Sequence, residues 1–300
     1  FIPLKILNKI TFYDKAKATL NIINSPERAA FESICYKHET EAKIKFRWQS
    51  NRDFTLILII QGQGRKFIGD SMSDFTTGDF AIIPPNMPFA YINDYEYTSG
   101  GSEYIWLRFN PDFAGKNFFN IPEMSHCSGL LKRSDRGLQL LDVPSSVISI
   151  LKELEEMNRL NRLLAFLTLL DVLASLPVKI LGSEDYKAHT SRDDLDRIQV
   201  VCCYINENYQ RSISAEKLGE LIHMSPPSFC RFFKRVMNKT FHKYLCEIRI
   251  ALAKRFLSNT EMITEDVAKR CGFRTIPGFT TRFKNLTEYT PASFRRKFKN

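Results

Sequence analysis

The chain has 300 residues, of which 44% are hydrophobic and 25% charged, a composition typical of globular protein with room for two domains. Its net charge of +10 is concentrated at one end, because residues 191–300 contain 21 Lys/Arg and 11 Asp/Glu whereas residues 1–190 contain 22 of each. This pattern excludes a uniformly basic protein, and it is typical of a C-terminal part that meets polyanionic phosphate or of a solvated basic surface.

No segment of the sequence is long and apolar enough to predict a membrane span. The longest apolar stretch, residues 163–178, is interrupted by Asp171, and a spanning helix needs about twenty apolar residues. Lysines punctuate the start of the chain, so no signal peptide is expected, and the seven cysteines form no CxxC pair. We therefore expect a cytoplasmic protein without a membrane partner.

The first half of the chain has the pattern of short strands. Residues 54–60 predict a buried strand, and Gly and Pro punctuation marks the turns that follow it. Further strands are predicted at residues 65–68, 80–83, 89–92 and 104–109. Regularly spaced short strands predict a β-barrel or jelly roll, which we assign to residues 1–145.

Residues 146–181 change to a helical period and predict two antiparallel helices. The apolar positions are Val147, Ile150, Leu151, Leu154, Met157, Leu160, Leu163, Leu164, Leu167 and Leu170. This stripe either packs on the barrel or forms a subunit interface, which makes it the candidate element for a homodimer. Residues 182–193 are polar and predict a linker, after which residues 194–300 predict an all-helical domain.

The helical domain begins with a helix-turn-helix pattern. Leu218, Leu221 and Ile222 predict one apolar helix face, and Gly219 permits close approach of the next helix. Ser225 and Pro226 are typical of a helix start. The following helix buries its phenylalanines and leaves an outer face for the major groove, with Arg231 suited to guanine. The predicted DNA-contacting residues of this unit are Ser225, Pro227, Ser228, Arg231, Lys234 and Arg235.

A second copy of the pattern follows about fifty residues later. Ile263, Val267 and Ala268 are predicted to pack inward, Gly272 to form the turn, and Phe279, Phe283 and Leu286 to face the core. The exposed side is less basic, so it favours contacts with thymine methyl groups. The predicted DNA-contacting residues of this unit are Thr275, Ile276, Pro277, Thr280, Thr281, Arg282 and Lys284.

The two patterns are connected by a predicted helix at residues 241–258. At 1.5 Å per residue this helix is roughly 27 Å long, enough to separate two reading helices by about one turn of B-DNA, roughly 34 Å. Either unit alone is also compatible with an ordinary helical hairpin. Two copies in register predict a double-stranded DNA partner.

Residues 195–299 resemble the DNA-binding region of AraC-type transcriptional regulators. The resemblance is densest where the chain reads Cys271-Gly272-Phe273, Phe279-Thr280-Thr281-Arg282-Phe283-Lys284 and Tyr289-Thr290-Pro291-Ala292-Ser293-Phe294-Arg295. It implies a promoter-binding regulator, often an activator that touches RNA polymerase. The chain departs from the family at Asn238 and Glu288, where Gly is usual, and at Thr281, where Arg is usual.

The spacing of Gly78, Pro84-Pro85-Asn86, Phe89 and Asn93 resembles the second motif of a cupin barrel. Enzymatic cupins have a His where this chain has Phe89, and the five histidines of this chain lie outside the barrel motifs. We therefore expect no metal and no cofactor. The AraC resemblance implies a sensor barrel that binds a small effector, with Trp48, Tyr91, Trp106 and Arg108 as candidate contacts or, alternatively, as plain core.

Together these features predict an α+β multidomain chain: a cupin-like N-terminal β-barrel with a helical pair, and a C-terminal all-α tandem helix-turn-helix module. The predicted function is a sequence-specific transcriptional regulator controlled by a small-molecule effector, and not an enzyme. Two alternatives stay open, a cupin-fold enzyme with a helical appendage and a ligand-independent DNA-binding protein.

Overall fold

A computed structural model describes residues 33–93, 101–186 and 191–299, with the side chain of Arg192 left out. Residues 1–32 and 94–100 of the predicted barrel domain, 187–190 of the predicted linker and 300 of the predicted helical domain therefore lie outside the described residues. The chain divides between Leu195 and Asp196 into a unit that contains all the described strands and a helical unit.

Nine antiparallel strands form two sheets in the part of the chain that the structure describes. The six-stranded sheet has the order β1-β7-β2-β5-β8-β9, and the three-stranded sheet has the order β4-β3-β6. Their bounds are β1 Ile34–Glu41, β2 Phe54–Gln61, β3 Gly64–Ile68, β4 Ser71–Phe75, β5 Phe80–Ile83, β6 Phe89–Asn93, β7 Ser102–Phe109, β8 Leu138–Leu140 and β9 Val178–Ile180.

The two sheets face each other across a shared interior. Ile57 and Ile59 from β2 contact the same apolar cluster as Ile68 from β3 and Phe89 from β6. Side chains alternate along a strand, so the odd-numbered residues of β2 and the even-numbered residues of β7 face this interior, and the intervening ones face away. The predicted cupin-like sheet domain is confirmed.

Helices cover the other face of the six-stranded sheet. They are α1 Ser125–Arg133, α2 Ser145–Glu153 and α3 Arg159–Ala174. Val147, Leu151, Phe166 and Leu170 share one core cluster with Leu56 and the other sheet residues of that face. The predicted apolar stripe therefore packs on the sheet, although Leu160 and Leu164 of α3 are 64% and 54% exposed.

The second unit is helical throughout its described residues, as predicted. Its helices are α4 Arg192–Asn208, whose first four residues precede the division, and then α5 Ala215–Leu221, α6 Pro226–Met237, α7 Phe241–Asn259, α8 Thr264–Arg270, α9 Ile276–Thr287 and α10 Pro291–Phe298. The helix α7 contacts both α6 and α9, so it is the common support of the two helix-turn-helix units.

Two inward-facing predictions in this unit are wrong. Ile263 is 60% exposed because it occupies the N-cap of α8 in an extended conformation, so the helical period does not apply to it. Leu286 is 44% exposed, since Thr287 rather than Leu286 lies four residues after Phe283 and donates its hydroxyl to the Phe283 carbonyl.

Candidate functional site

The first helix-turn-helix consists of α5, a tight turn and α6. The Ser214 side chain caps α5 by accepting a hydrogen bond from the Lys217 amide at 3.3 Å. At Gly219 a Cβ would lie 2.5 Å from the Met224 carbonyl oxygen, so only glycine allows the chain to return this closely. The Met224 amide closes the turn by donating to the Gly219 carbonyl at 2.9 Å. These contacts set the direction in which α6 leaves the turn.

The inner face of α6 is aromatic and buried. Phe229 packs on Phe241 with ring centroids 5.5 Å apart, and Phe233 packs on Tyr244 at 5.6 Å. Both partners belong to α7, so this contact anchors α6 to its support. Burial of two complete phenylalanine rings contributes several kcal/mol at about 25 cal/mol per Å².

The outer face of α6 is exposed and contains no acidic residue. Arg231, Lys234 and Arg235 lie on this face with Pro227. The Ser225 hydroxyl donates to the Ser228 hydroxyl at 3.0 Å, and the Arg231 guanidinium donates to the same Ser228 oxygen at 3.3 Å. This chain of contacts orients the guanidinium along the N-terminal half of the helix. All six residues predicted for this unit are exposed or half-buried.

The second helix-turn-helix repeats the construction with α8 and α9. Gly272 has a φ of +80°, and a Cβ there would lie 2.8 Å from the carbonyl oxygens of Tyr209 and Gln210. The Phe273 amide donates to the Ala268 carbonyl at 3.0 Å, which ends α8. The Thr275 hydroxyl caps α9 by accepting from the Gly278 amide at 3.3 Å.

The core of this unit is again a row of phenylalanines. Phe279 lies 5.0 Å from Phe273 and 5.5 Å from Phe283, and Phe283 lies 5.4 Å from Phe294 of α10. The seven predicted contact residues are placed on the remaining faces: Thr275, Pro277, Thr281, Arg282 and Lys284 are exposed, and Ile276 and Thr280 are half-buried. Like α6, α9 has twelve residues and no carboxylate.

The loop that follows α4 contacts both the support helix α7 and the turn of the second helix-turn-helix. The Arg249 side chain of α7 donates to the carbonyl oxygens of Tyr209 at 2.7 Å and Arg211 at 2.8 Å. Burial lowers the pKa of the Arg249 guanidinium, which still retains its charge because an arginine titrates far above neutrality. The same Tyr209 carbonyl faces Gly272, so one loop contacts the support helix and the second turn.

Two exposed residues of this surface were not predicted. Cys230 lies on the outer face of α6, three residues after Pro227 and four before Lys234, and this helical spacing could have revealed it. Arg274 precedes α9 and donates to the Ser212 hydroxyl at 3.3 Å. Its position depends on the loop after α4, which no local sequence signal specifies.

The interior of the barrel contains polar groups of several kinds. Tyr91, Trp106 and Arg108 face it, as the alternation of β6 and β7 requires. Trp48 does not join them, because it packs on Phe67, which points to the opposite face of the three-stranded sheet from Ile68. The structure therefore brings together three of the four predicted effector contacts.

Lys66 and Asp79 form a buried ion pair inside the barrel. The ammonium lies 2.6 and 2.5 Å from the two carboxylate oxygens, and the Gln139 amide donates to Asp79 at 3.0 Å. The side chains of Lys66 and Asp79 are 1% and 4% exposed. Burial penalises both charges, but the double hydrogen bond between them stabilises the ionised pair.

A second polar group lies on the β1 and β7 part of the interior. Glu39 accepts hydrogen bonds from the Tyr104 hydroxyl at 2.8 Å and the Trp106 indole at 3.2 Å, and it pairs with Lys37. Burial alone would raise the pKa of Glu39, but these donors and the Lys37 charge hold that pKa below its ordinary value. Burial and the bonds to Glu41 and Glu39 raise the pKa of Tyr104.

Within the described residues, no group of three or more His, Cys, Asp or Glu side chains is placed to hold a metal ion. No described helix is both long enough and apolar enough to cross a membrane.

Comparison with known families assigns both units. A model of the AraC-like ligand binding domain matches residues 33–171, and a model of a helix-turn-helix domain matches residues 218–297. The two matches cover most of the sheet domain with its helices and most of the two helix-turn-helix units.

Three relatives illustrate the similarity. The bifunctional transcriptional activator/DNA repair enzyme AdaA of Bacillus subtilis is 32% identical over 106 residues, which cover 35% of this chain and 50% of AdaA. The Msm operon regulatory protein of Streptococcus mutans is 20% identical over 254 residues, 83% of this chain and 86% of that protein. An HTH-type transcriptional regulator in the cgkA 5′ region of Pseudoalteromonas carrageenovora is 32% identical over 116 residues, 39% of this chain and 69% of that protein.

The chain thus spans half the length of AdaA and most of the other two relatives. With an AraC-like ligand-binding domain, a helix-turn-helix domain and transcriptional regulators as relatives, the chain belongs to the AraC family of transcriptional regulators.

Proposed function

We propose that this regulator reads two neighbouring major-groove segments of one operator, one with α6 and one with α9. One observation supports this above all: two twelve-residue helices of the same construction expose acid-free faces and share α7 as their support. With 19 residues α7 is about 28 Å long, close to one turn of B-DNA.

The two helices are proposed to read different base pairs. Arg231 presents a guanidinium oriented by Ser228, and its two donors match the O6 and N7 acceptors of guanine. The N-terminal part of α9 instead offers Ile276, Thr280 and Thr281, whose methyl groups suit the thymine methyl. Lys234, Arg235, Arg282 and Lys284 contribute charge for the phosphates.

The test uses an operator selected from genomic fragments by binding to the full chain. Arg231→Ala is expected to lose about 10- to 100-fold in affinity and to stop discriminating at one guanine position, because a bidentate contact discriminates by about 1–3 kcal/mol. Lys234→Ala should weaken binding evenly across sequences and reduce the salt slope by about one. Fluorescence anisotropy on the operator and on single-base variants measures both.

Lys132→Ala is the control, since it removes one exposed charge from α1 in the sheet unit. Its operator affinity should equal that of the wild type. If Arg231→Ala binds the operator as tightly as the wild type, α6 does not contact the bases of the operator through Arg231.

We propose that the barrel binds the effector that controls DNA binding. Tyr91 and Arg108 support this, because each is more than nine-tenths buried in the interior and the Tyr91 hydroxyl and Arg108 Nε have no hydrogen-bond partner among the described residues. Buried polar atoms of this kind are normally satisfied. If the chain regulates without a ligand, no compound will change operator affinity.

We also propose a homodimer formed through α3. Leu160 and Leu164 stand one helical turn apart and are largely exposed, whereas the inward face of the same helix is fully buried. Family membership further predicts contact with RNA polymerase when the regulator activates, and in vitro transcription with and without the protein measures the sign of regulation. Because the proposed partner is genomic DNA, we expect the protein to act in the cytoplasm.

A further inference from the structure

Arg108 carries a positive charge into the barrel interior beside Trp106. Its residue is 9% exposed, and its guanidinium carbon lies 4.3 Å from the centroid of the Trp106 ring. Thr55 of β2 and Cys35 of β1 are its register partners on the two neighbouring strands. The ring lies within cation–π distance of the guanidinium, but it offers the guanidinium N–H groups no carboxylate or carbonyl acceptor.

The carboxylates nearest to Arg108 already have other partners. After the Cys35 thiol, Asp53 and Glu39 are the acidic groups whose charge acts on the guanidinium. Glu39 accepts hydrogen bonds from Tyr104 and Trp106 and pairs with Lys37, and Asp53 accepts from the Asn110 amide at 3.1 Å. Neither forms an ion pair with Arg108, and its Nε has no hydrogen-bond partner within the described residues.

Lys66 is also a deeply buried cation of the same interior, but it has a carboxylate partner. Lys66 is bound by both oxygens of Asp79, so its charge is neutralised inside the protein. Burial lowers the pKa of the Arg108 guanidinium, yet an arginine does not release its proton at neutral pH, so the charge persists. A buried charge without a counter-ion destabilises the fold, which makes Arg108 costly unless something else compensates it.

We infer that the effector is an organic monocarboxylate whose carboxylate pairs with Arg108 inside the barrel. The inference rests on the proposed function of the barrel as an effector site and names the chemical class of that effector. One unpaired guanidinium matches one carboxylate, both in charge and in its fork of donors. A phosphate dianion would need a second unpaired cation, and Lys66 and Lys37 are already paired. The body of the ligand contacts Trp106 and the neighbouring Ile57.

The first test needs no ligand. Arg108→Met keeps the length of the side chain and removes its charge, so the full-length variant should melt about 2–4 °C above the wild type. Arg52→Met is the matched control, because Arg52 is exposed, and its melting temperature should not change. A lower or unchanged melting temperature for Arg108→Met would assign Arg108 a structural role and overturn the inference.

The second test compares acids with their neutral amides. Benzoate and butyrate are titrated against the full chain alongside benzamide, butyramide and glucose. At about tenfold excess over Kd, a bound acid should raise the melting temperature by about 2–4 °C. The amides should have no effect, Arg108→Met should not respond, and Arg108→Lys should respond more weakly. Equal shifts with acid and amide, or an acid shift that persists in Arg108→Met, would contradict the inference.

Operator anisotropy separates this inference from the proposed function. An acid that binds through Arg108 but leaves operator affinity unchanged supports the carboxylate site and contradicts effector control. Glucose or an amide that changes operator affinity supports effector control and contradicts the carboxylate site.

Discussion

Inside the barrel, Lys66 and Asp79 depend on each other because neither can reach water. The ammonium donates a hydrogen bond to each carboxylate oxygen, and the Gln139 amide donates a further one to the same carboxylate. Losing either partner leaves a buried charge, whereas losing both leaves an apolar volume that the surrounding core can fill.

Lys66→Met is therefore expected to lower the free energy of unfolding by about 3–5 kcal/mol. The double variant Lys66→Met/Asp79→Leu should recover most of that loss, because no unpaired charge then remains. Urea denaturation measured by circular dichroism compares the three proteins. If the double variant is as unstable as the single one, the pair contributes through packing and not through charge.

At the scale of the element, both twelve-residue helices α6 and α9 end at a residue in the left-handed region. Asn238 follows α6 with a φ of 51°, and Glu288 follows α9 with a φ of 65°. These are the two positions at which this chain has another residue where the family usually has glycine. Asparagine adopts this conformation with little strain, whereas the longer glutamate side chain pays a steric cost.

Glu288→Gly is expected to stabilise the protein by about 0.5–1 kcal/mol, since relief of the steric cost exceeds the extra entropy of glycine in the unfolded chain. Asn238→Gly is the matched variant and should change stability less. Thermal unfolding followed at a helical wavelength measures both. An equal gain in the two variants would show that left-handed strain is not the cause.

The helix α3 has one face that packs in the core and one face that is exposed and proposed to form the dimer. Phe166, Leu169, Leu170 and Leu173 are fully buried against the sheet, so substitutions there test the fold. Leu160 and Leu164 are exposed, so substitutions there test association without opening the core.

Leu160→Glu/Leu164→Glu is expected to convert the proposed dimer into a single chain of 34.8 kDa. Two carboxylates on each copy of the interface repel each other and remove its apolar contact. Light scattering after size-exclusion chromatography gives the mass. Ile263→Glu, at an exposed site of the helical unit, should leave the mass unchanged; a dimer that survives the α3 substitutions uses another surface.

The strand pattern was predictable where a strand is buried on both faces. Residues 54–60 form a continuous apolar run because β2 lies between the interior cluster and the helices. The strand β1 was not predicted, because Lys37, Glu39 and Glu41 interrupt its apolar pattern while pairing with each other and with Tyr104. The short strands β8 and β9 carry too few residues to show a period.

For the molecule as a whole, the length of the helix α7 is proposed to limit which operators one chain can read. The helices α6 and α9 both contact α7, whose 19 residues set the distance between them. If each helix reads one base-pair segment, as proposed, a single chain requires the two segments at one spacing and on one side of the duplex.

Inserting about 5 base pairs between the two segments is expected to reduce affinity at least tenfold, because one reading helix then faces the wrong side of the duplex. An insertion of about 10 base pairs restores the side but doubles the distance, so affinity should stay low. Anisotropy on the three operators measures this. Recovery at 10 base pairs would mean that two different chains read the two segments.

The sequence by itself determined the two helix-turn-helix units and the sheet domain. Their signals are local: phenylalanines at helical spacing, a glycine at or just before each turn and a proline at each helix start lie close together in the sequence of each unit. The exposed candidates for DNA contact followed from the same spacing, because a helix with one buried face presents the other to solvent.

Only the tertiary structure decided which polar residues meet inside the barrel. Trp48 and Trp106 have the same side chain, so the sequence does not distinguish them. Strand pairing turns Trp106 toward Arg108 in the barrel interior, whereas Trp48 packs against Phe67 on the opposite face of the three-stranded sheet. Lys66 and Asp79 approach each other from two different sheets, and Arg108 is left without such a partner. These relations depend on register and sheet packing, in which a shift of one residue reverses every side chain.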